Sequence, residues 1–194
     1  MTFSSPNPRD AEPVDGSLAV SPRIEVDHEA RRISLLLQLD ATDINVSGNL
    51  AKLSPIGLKP KKEFHVTALD IKQGSVNGDI FDTLSDESQA AVISLLYEAK
   101  SDSWHVRPID EFYLVEKHYE KEEEQRRSVI QLVDFPGLDD LYTKLNLLVS
   151  VGAKFEVPPA HITLAIQGSA RGIGISSPQE LRSLGTSLAS PEQM

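Results

Sequence analysis

The sequence predicts an α+β fold, and three observations lead there. Short apolar runs rich in β-branched residues alternate with stretches whose apolar residues recur at helical spacing. Clusters of Pro, Gly, Ser and Asp separate them. With 194 residues, 40% hydrophobic and 25% charged, the chain has ordinary globular composition and enough length for one domain with a sizeable core.

Residues 1–22 are rich in Pro, Ser, Asp and Gly without periodicity, and predict a disordered tail. The domain then runs over 23–188, with 189–194 frayed. Ile33–Leu39 and Phe64–Ile71 read as strands. Ser85–Lys100 reads as a helix capped by Ser85, with Asp86 and Glu87 against its N-terminal dipole and Val92, Leu95, Leu96 and Ala99 on one face. Trp104–Val106 and Glu111–Glu116 read as two strands. The second forms a hairpin with Ser128–Phe135, with the charged link His118–Arg127 at its tip. Pro136-Gly137 precedes a helix over 138–150 with an apolar stripe from Leu138 to Val149. A last strand, His161–Ile166, follows Pro158-Pro159. Gly172–Ile175 reads as a short strand beside it, and Ser177-Pro178-Gln179-Glu180 opens a helix over 178–188.

Charge and composition exclude several classes. A formal net charge of −10 disfavours a grip on long duplex nucleic acid, which needs many Lys and Arg contacts to phosphate. No apolar stretch is long enough to cross a bilayer, and residues 1–23 contain no secretory apolar run, so a soluble cytoplasmic protein is expected. The absence of cysteine removes disulfides, thiolate zinc sites and a thiol nucleophile.

The chain has only seven threonines, yet two of them lie two residues after a histidine, in His65-Val66-Thr67 and His161-Ile162-Thr163. In a strand, residues i and i+2 share one face at roughly 6.5–7 Å, while i+1 points to the other. Each strand therefore offers an imidazole and a hydroxyl on one face and sinks Val66 or Ile162 into the core on the other. Two such strands side by side suit a phosphodiester. One neutral imidazole takes a proton from the attacking oxygen, and one imidazolium gives a proton to the leaving oxygen. The threonine hydroxyls bind the non-bridging oxygens.

The segments HVTAL at 65–69 and HITLA at 161–165 resemble the paired H-Φ-[T/S]-Φ motifs of the two-histidine (2H) phosphoesterase superfamily, which includes 2′,5′ RNA ligase-like proteins and cyclic nucleotide phosphodiesterases. Ala68 departs from the larger aliphatic residue common there. The resemblance implies a bilobed pseudo-symmetric fold, two β-sheet lobes flanked by helices with a central cleft. It implies cleavage, without metal or cofactor, of a small cyclic nucleotide, a 2′,3′-cyclic phosphate or a 2′,5′-linked oligonucleotide. His65 and His161 are then the acid and base, and Thr67 and Thr163 the phosphate ligands. The expected partner is a small nucleotide or short RNA end, and the expected state a monomer. The alternative is a module that holds a nucleotide or phosphate in the same cleft without turning it over.

Other residues carry weaker signals. Lys59, Lys61, Lys62 and Arg171 can supply positive charge near the motifs, but read at least as well as solvated loop residues. Gly172–Ser177 can offer backbone N–H groups to phosphate, though a close-packed edge strand is the better reading. His105 and His118 lack any His-x-His or His-x₃-His spacing that would suggest a metal. His28 reads as inert. Tyr119 or Phe155 can stack a base from a loop over the cleft.

Overall fold

The computed structural model describes residues 16–29, 31–44, 57–120, 123–149, 153–167 and 172–188. Among them are eight strands: β1 (Leu18–Asp27), β2 (Arg32–Leu39), β3 (Lys59–Pro60), β4 (Phe64–Lys72), β5 (Trp104–Tyr119), β6 (Glu124–Asp134), β7 (His161–Gln167) and β8 (Gly185–Leu188). Four helices accompany them: α1 (Val76–Asp82), α2 (Asp86–Ala99), α3 (Pro136–Leu147) and α4 (Pro178–Leu184). The fold is α+β, built on one antiparallel sheet.

The strand order is β1-β2-β4-β7-β6-β5-β8, with β3 on β7. β1 also pairs with the start of β5, Leu18 to Val20 against Trp104 to Val106, so the hydrogen-bonded path returns to where it began. From the β4–β7 junction outward, the order reads alike in both directions: β4-β2-β1 one way, β7-β6-β5 the other. The resemblance extends to register. Gln38 lies across from His65 and Leu36 from Thr67; Leu132 lies across from His161 and Ile130 from Thr163.

Alternation sets the two faces of the sheet. Leu35, Leu37, Val66, Val129, Ile162 and Leu164 point to one face and are buried. There they pack with Val92 and Leu96 of α2 and Leu138, Leu141 and Leu145 of α3 in the main core. α2 forms as its sequence dictates, with the Ser85 hydroxyl accepting from the Ser88 N–H and Asp86 and Glu87 in the first turn. On the opposite face a smaller core covers only the β5–β6 end: Val115 and Ile130 meet Ile173, Ile175 and Leu181. Leu181 is on α4, whose Ser177 hydroxyl accepts from the Glu180 N–H.

Several expectations are corrected. Residues 18–22, assigned to the tail by composition, are the first half of β1, where Val20 packs on the core and Ser21 and Pro22 pair with β2. The remainder of the tail through residue 15, and the C-terminal stretch 189–194, lie outside the described residues. The two strands expected at 104–106 and 111–116 are one, β5, which runs through Pro108 with an irregularity between Pro108 and Phe112. Both hairpin strands extend into the charged link, because Arg127–Glu116 and Arg126–Glu124 ion pairs satisfy its charges within the ladder. Gly172–Ile175, expected as a strand, makes no ladder; the Ile173 N–H donates to the Ser128 hydroxyl instead. The last helix stops at Leu184, and Gly185–Leu188 turns into β8 against β5.

Candidate active site

The two motif strands meet at one backbone pair, Val66 with Ile162, in antiparallel sense. One step to either side sets His65 across from Thr163 and Thr67 across from His161. Directly opposed residues in antiparallel strands have Cα atoms about 4.5–5.5 Å apart. Val66 and Ile162 are both fully buried in the main core. Alternation then puts both histidines and both threonines together on the opposite face, where all four are half-buried.

Each motif strand carries a bulge immediately after its threonine. Leu36 pairs with Thr67 but Leu35 with Leu69, which leaves Ala68 without a partner on β2. Ile130 pairs with Thr163 but Val129 with Ala165, which leaves Leu164 without a partner on β6. A bulge bends its strand and strengthens the local twist. Here it also lets two consecutive residues, Ala68-Leu69 and Leu164-Ala165, point into the core. β4 and β7 stay paired only at the motifs. Beyond them, β3 takes up β7, with Lys59 across from Ile166 and Pro60 across from Ala165.

The imidazoles are held differently. Nδ1 of His161 lies 2.7 Å from the Pro159 carbonyl oxygen. A carbonyl only accepts, so Nδ1 carries the proton, and Nε2 is the nitrogen with a free lone pair when the ring is neutral. Burial pushes the pKa of His161 down, against the stabilising pull of that carbonyl. His65 is also lowered, first by burial, then by the charge of Lys61 and to a smaller extent by His161 and Arg32, while Glu25 opposes. Burial thus favours the neutral form of both rings.

The surroundings differ on the two sides. On the β1–β2 side, Arg23 pairs with Glu25 at 3.0 Å, and Asp70 takes both Arg32 at 2.6 Å and the Ser34 hydroxyl at 2.7 Å. On the β6–β5 side the register sets Tyr113 where Arg23 stands, Val115 where Glu25 stands and Ile166 where Asp70 stands, under the 172–176 segment and α4. Gly172 lies against Thr163: a Cβ there would stand 3.1 Å from Oγ1 and 3.2 Å from Cγ2. Its backbone thus approaches the motif as closely as only glycine permits without a shift.

The secondary candidates separate. Lys61 is half-buried and its charge acts on His65, whereas Lys62 is exposed. Arg171 lies outside the described residues. Phe155 is fully buried in the main core and cannot stack a base, a correction forced by its packing beneath α3. Tyr119 is at the far end of the β5–β6 hairpin, its ring covered by the Arg126 guanidinium at 4.2 Å. His105 pairs with Ala19 of β1, and His118 is exposed beside Gln125. Among the described residues no group of three or more His, Cys, Asp or Glu is placed to hold a metal ion, and no helix is long and apolar enough to cross a membrane. The paired bulges went unread in the sequence, although two adjacent apolar residues after each threonine break the strand alternation and mark them.

No protein-family model, curated protein or solved structure matches the chain.

Proposed function

We propose that this chain is a metal-independent phosphodiesterase of the two-histidine type, acting on a cyclic nucleotide, a 2′,3′-cyclic phosphate or a 2′,5′-linked end. The observation that carries the reading is the Val66–Ile162 pair, which interleaves the two HxT segments on one face of the sheet. The palindromic strand order and the matched bulges support the bilobed, pseudo-symmetric architecture that the motifs imply.

In this reading His161 is the base. Its Nδ1–H is committed to Pro159, so Nε2 takes the proton of the attacking water or sugar hydroxyl. As the new O–P bond forms, the bond to the leaving oxygen breaks, and protonated His65 supplies the proton that oxygen needs. Thr67 and Thr163 donate to the non-bridging oxygens, whose charge grows in the transition state. Both proton transfers are met by side chains, so no step calls for a metal-bound hydroxide.

The test is turnover of a panel of 2′,3′-cyclic, 3′,5′-cyclic and 2′,5′-linked nucleotides in EDTA. Product is expected from at least one class, undiminished by chelator. Failure across the panel, or activity lost to EDTA and restored by Zn²⁺ or Mg²⁺, overturns the reading.

A further inference from the structure

We infer that Lys61 is a third phosphate ligand of this cleft, delivered by β3 to a point between the two motif strands; the inference rests on the site proposed above. The Lys61 N–H donates to the Leu164 carbonyl at 2.9 Å, one residue past Thr163, while in the chain Lys61 lies four residues before His65. Its backbone is therefore tied to both motifs. Its side-chain direction follows from pairing. Lys59 is across from Ile166, which is itself across from Ser128 on the site face, and Pro60 is across from buried Ala165. Lys61 follows directly after this strand, and the same alternation carried one residue further turns it to the site face, where its charge acts on His65.

The charged groups around His65 differ in what holds them. Arg32 of β2 is paired with Asp70, and Glu25 of β1 is paired with Arg23. Lys61 is half-buried and has no ion-pair partner among the described residues. An unpaired ammonium beside two imidazoles and two hydroxyls is a place for an anion, and the oxygens of a phosphate group match it. Burial first, then Lys61 and to a smaller extent His161 and Arg32, set against Glu25, favour the neutral form of His65. A bound phosphate brings negative charge between Lys61 and His65 and lets His65 take up the proton it must later donate. The acid is thus charged by the arrival of the anion itself.

The experiment follows the His65 ring by NMR through pH titrations with and without inorganic phosphate, in the wild type, Lys61→Met, Lys61→Arg and, as a control for lost charge, Lys144→Met on exposed α3 surface. Phosphate is expected to bind the wild type and move the His65 titration to higher pH. Lys61→Met should weaken phosphate about tenfold or more and raise the His65 titration in the phosphate-free protein. Lys61→Arg should retain binding, and Lys144→Met should change neither quantity. Equal phosphate affinity in Lys61→Met and wild type, or no phosphate binding by the wild type, overturns the inference. Ester turnover with kcat/KM and pH profile unchanged in Lys61→Met also overturns it and leaves the phosphodiesterase reading standing. Lys61-dependent phosphate binding without turnover of any ester does the reverse: it supports the anion site and sinks the enzyme.

Discussion

A half-buried imidazole gives up solvation for position, and both histidines here have done so. His161 recovers part of the loss through the Pro159 carbonyl, which fixes its tautomer at the same time. Neither ring is core packing; that role belongs to Val66 and Ile162 on the other face. Activity and stability should therefore separate by residue. His65→Ala and His161→Ala are each expected to cut turnover on the order of 10²-fold or more with little change in melting temperature. Ile162→Ala, at the fully buried pairing point, is expected to cost about 2–5 kcal/mol of stability. Assays of rate and thermal unfolding on the three variants check this, and a parallel loss of both in the histidine variants would make them structural residues.

At the scale of elements, the site is made by what interrupts the strands. The bulges at Ala68 and Leu164 follow Thr67 and Thr163 directly, so each strand presents His and Thr to the cleft and then turns two residues to the core. The 172–176 segment covers the β6 side without joining the ladder, anchored by Ile173 and Ile175 and by the Ile173 N–H to Ser128. Glu180 fastens α4 to the same side. Burial alone would raise its pKa, but hydrogen bonds from Lys117 and Ser176 hold its carboxyl below the usual range. Gly172 is the tight point of this cover. Gly172→Ala is expected to fold but to crowd Thr163, raising KM several-fold while leaving kcat less affected; steady-state kinetics decide, and unchanged KM would mean that the segment simply yields.

For the molecule as a whole, the proposed mechanism has pH act on rate through the same two rings whose burial ties stability to pH. A base that must be neutral and an acid that must be protonated give a bell-shaped rate profile. Because both rings are lowered from 6.5, the optimum of kcat/KM is expected on the acid side of that value instead of centred at neutrality. The stability sign follows from linkage. A histidine lowered on folding binds its proton more readily in the unfolded chain, so stability is at its full value above pH 6.5 and is lost as pH falls through the folded pKa values. Glu180, lowered from 4.5, adds a second loss in a more acid window. Thermal unfolding from pH 8 to 4 should show the first decline in wild type and a smaller one in a His65→Gln, His161→Gln double variant; identical curves would contradict the burial of the rings.

The sequence alone determined the two HxT segments on which the proposed site rests and most of the elements that hold them. A strand's period of two places His and Thr together whatever the rest of the fold does, and Ser85 and Ser177 mark helix starts because their hydroxyls satisfy N–H groups a few residues away. The likeness of Ser34-Leu35-Leu36 to Ser128-Val129-Ile130 emerges only when the ladders set these segments beside the two motifs. What only tertiary structure decided was partnership. β1 has tail-like composition because Ser21 and Pro22 contribute pairing and not core, so nothing local reveals it as a strand. β8 exists only because β5 offers an edge to Gly185–Leu188. The meeting of Val66 with Ile162, nearly a hundred residues apart in the chain, is a choice among long-range pairings that hydrophobic burial on the far face makes, and local propensity has no access to it.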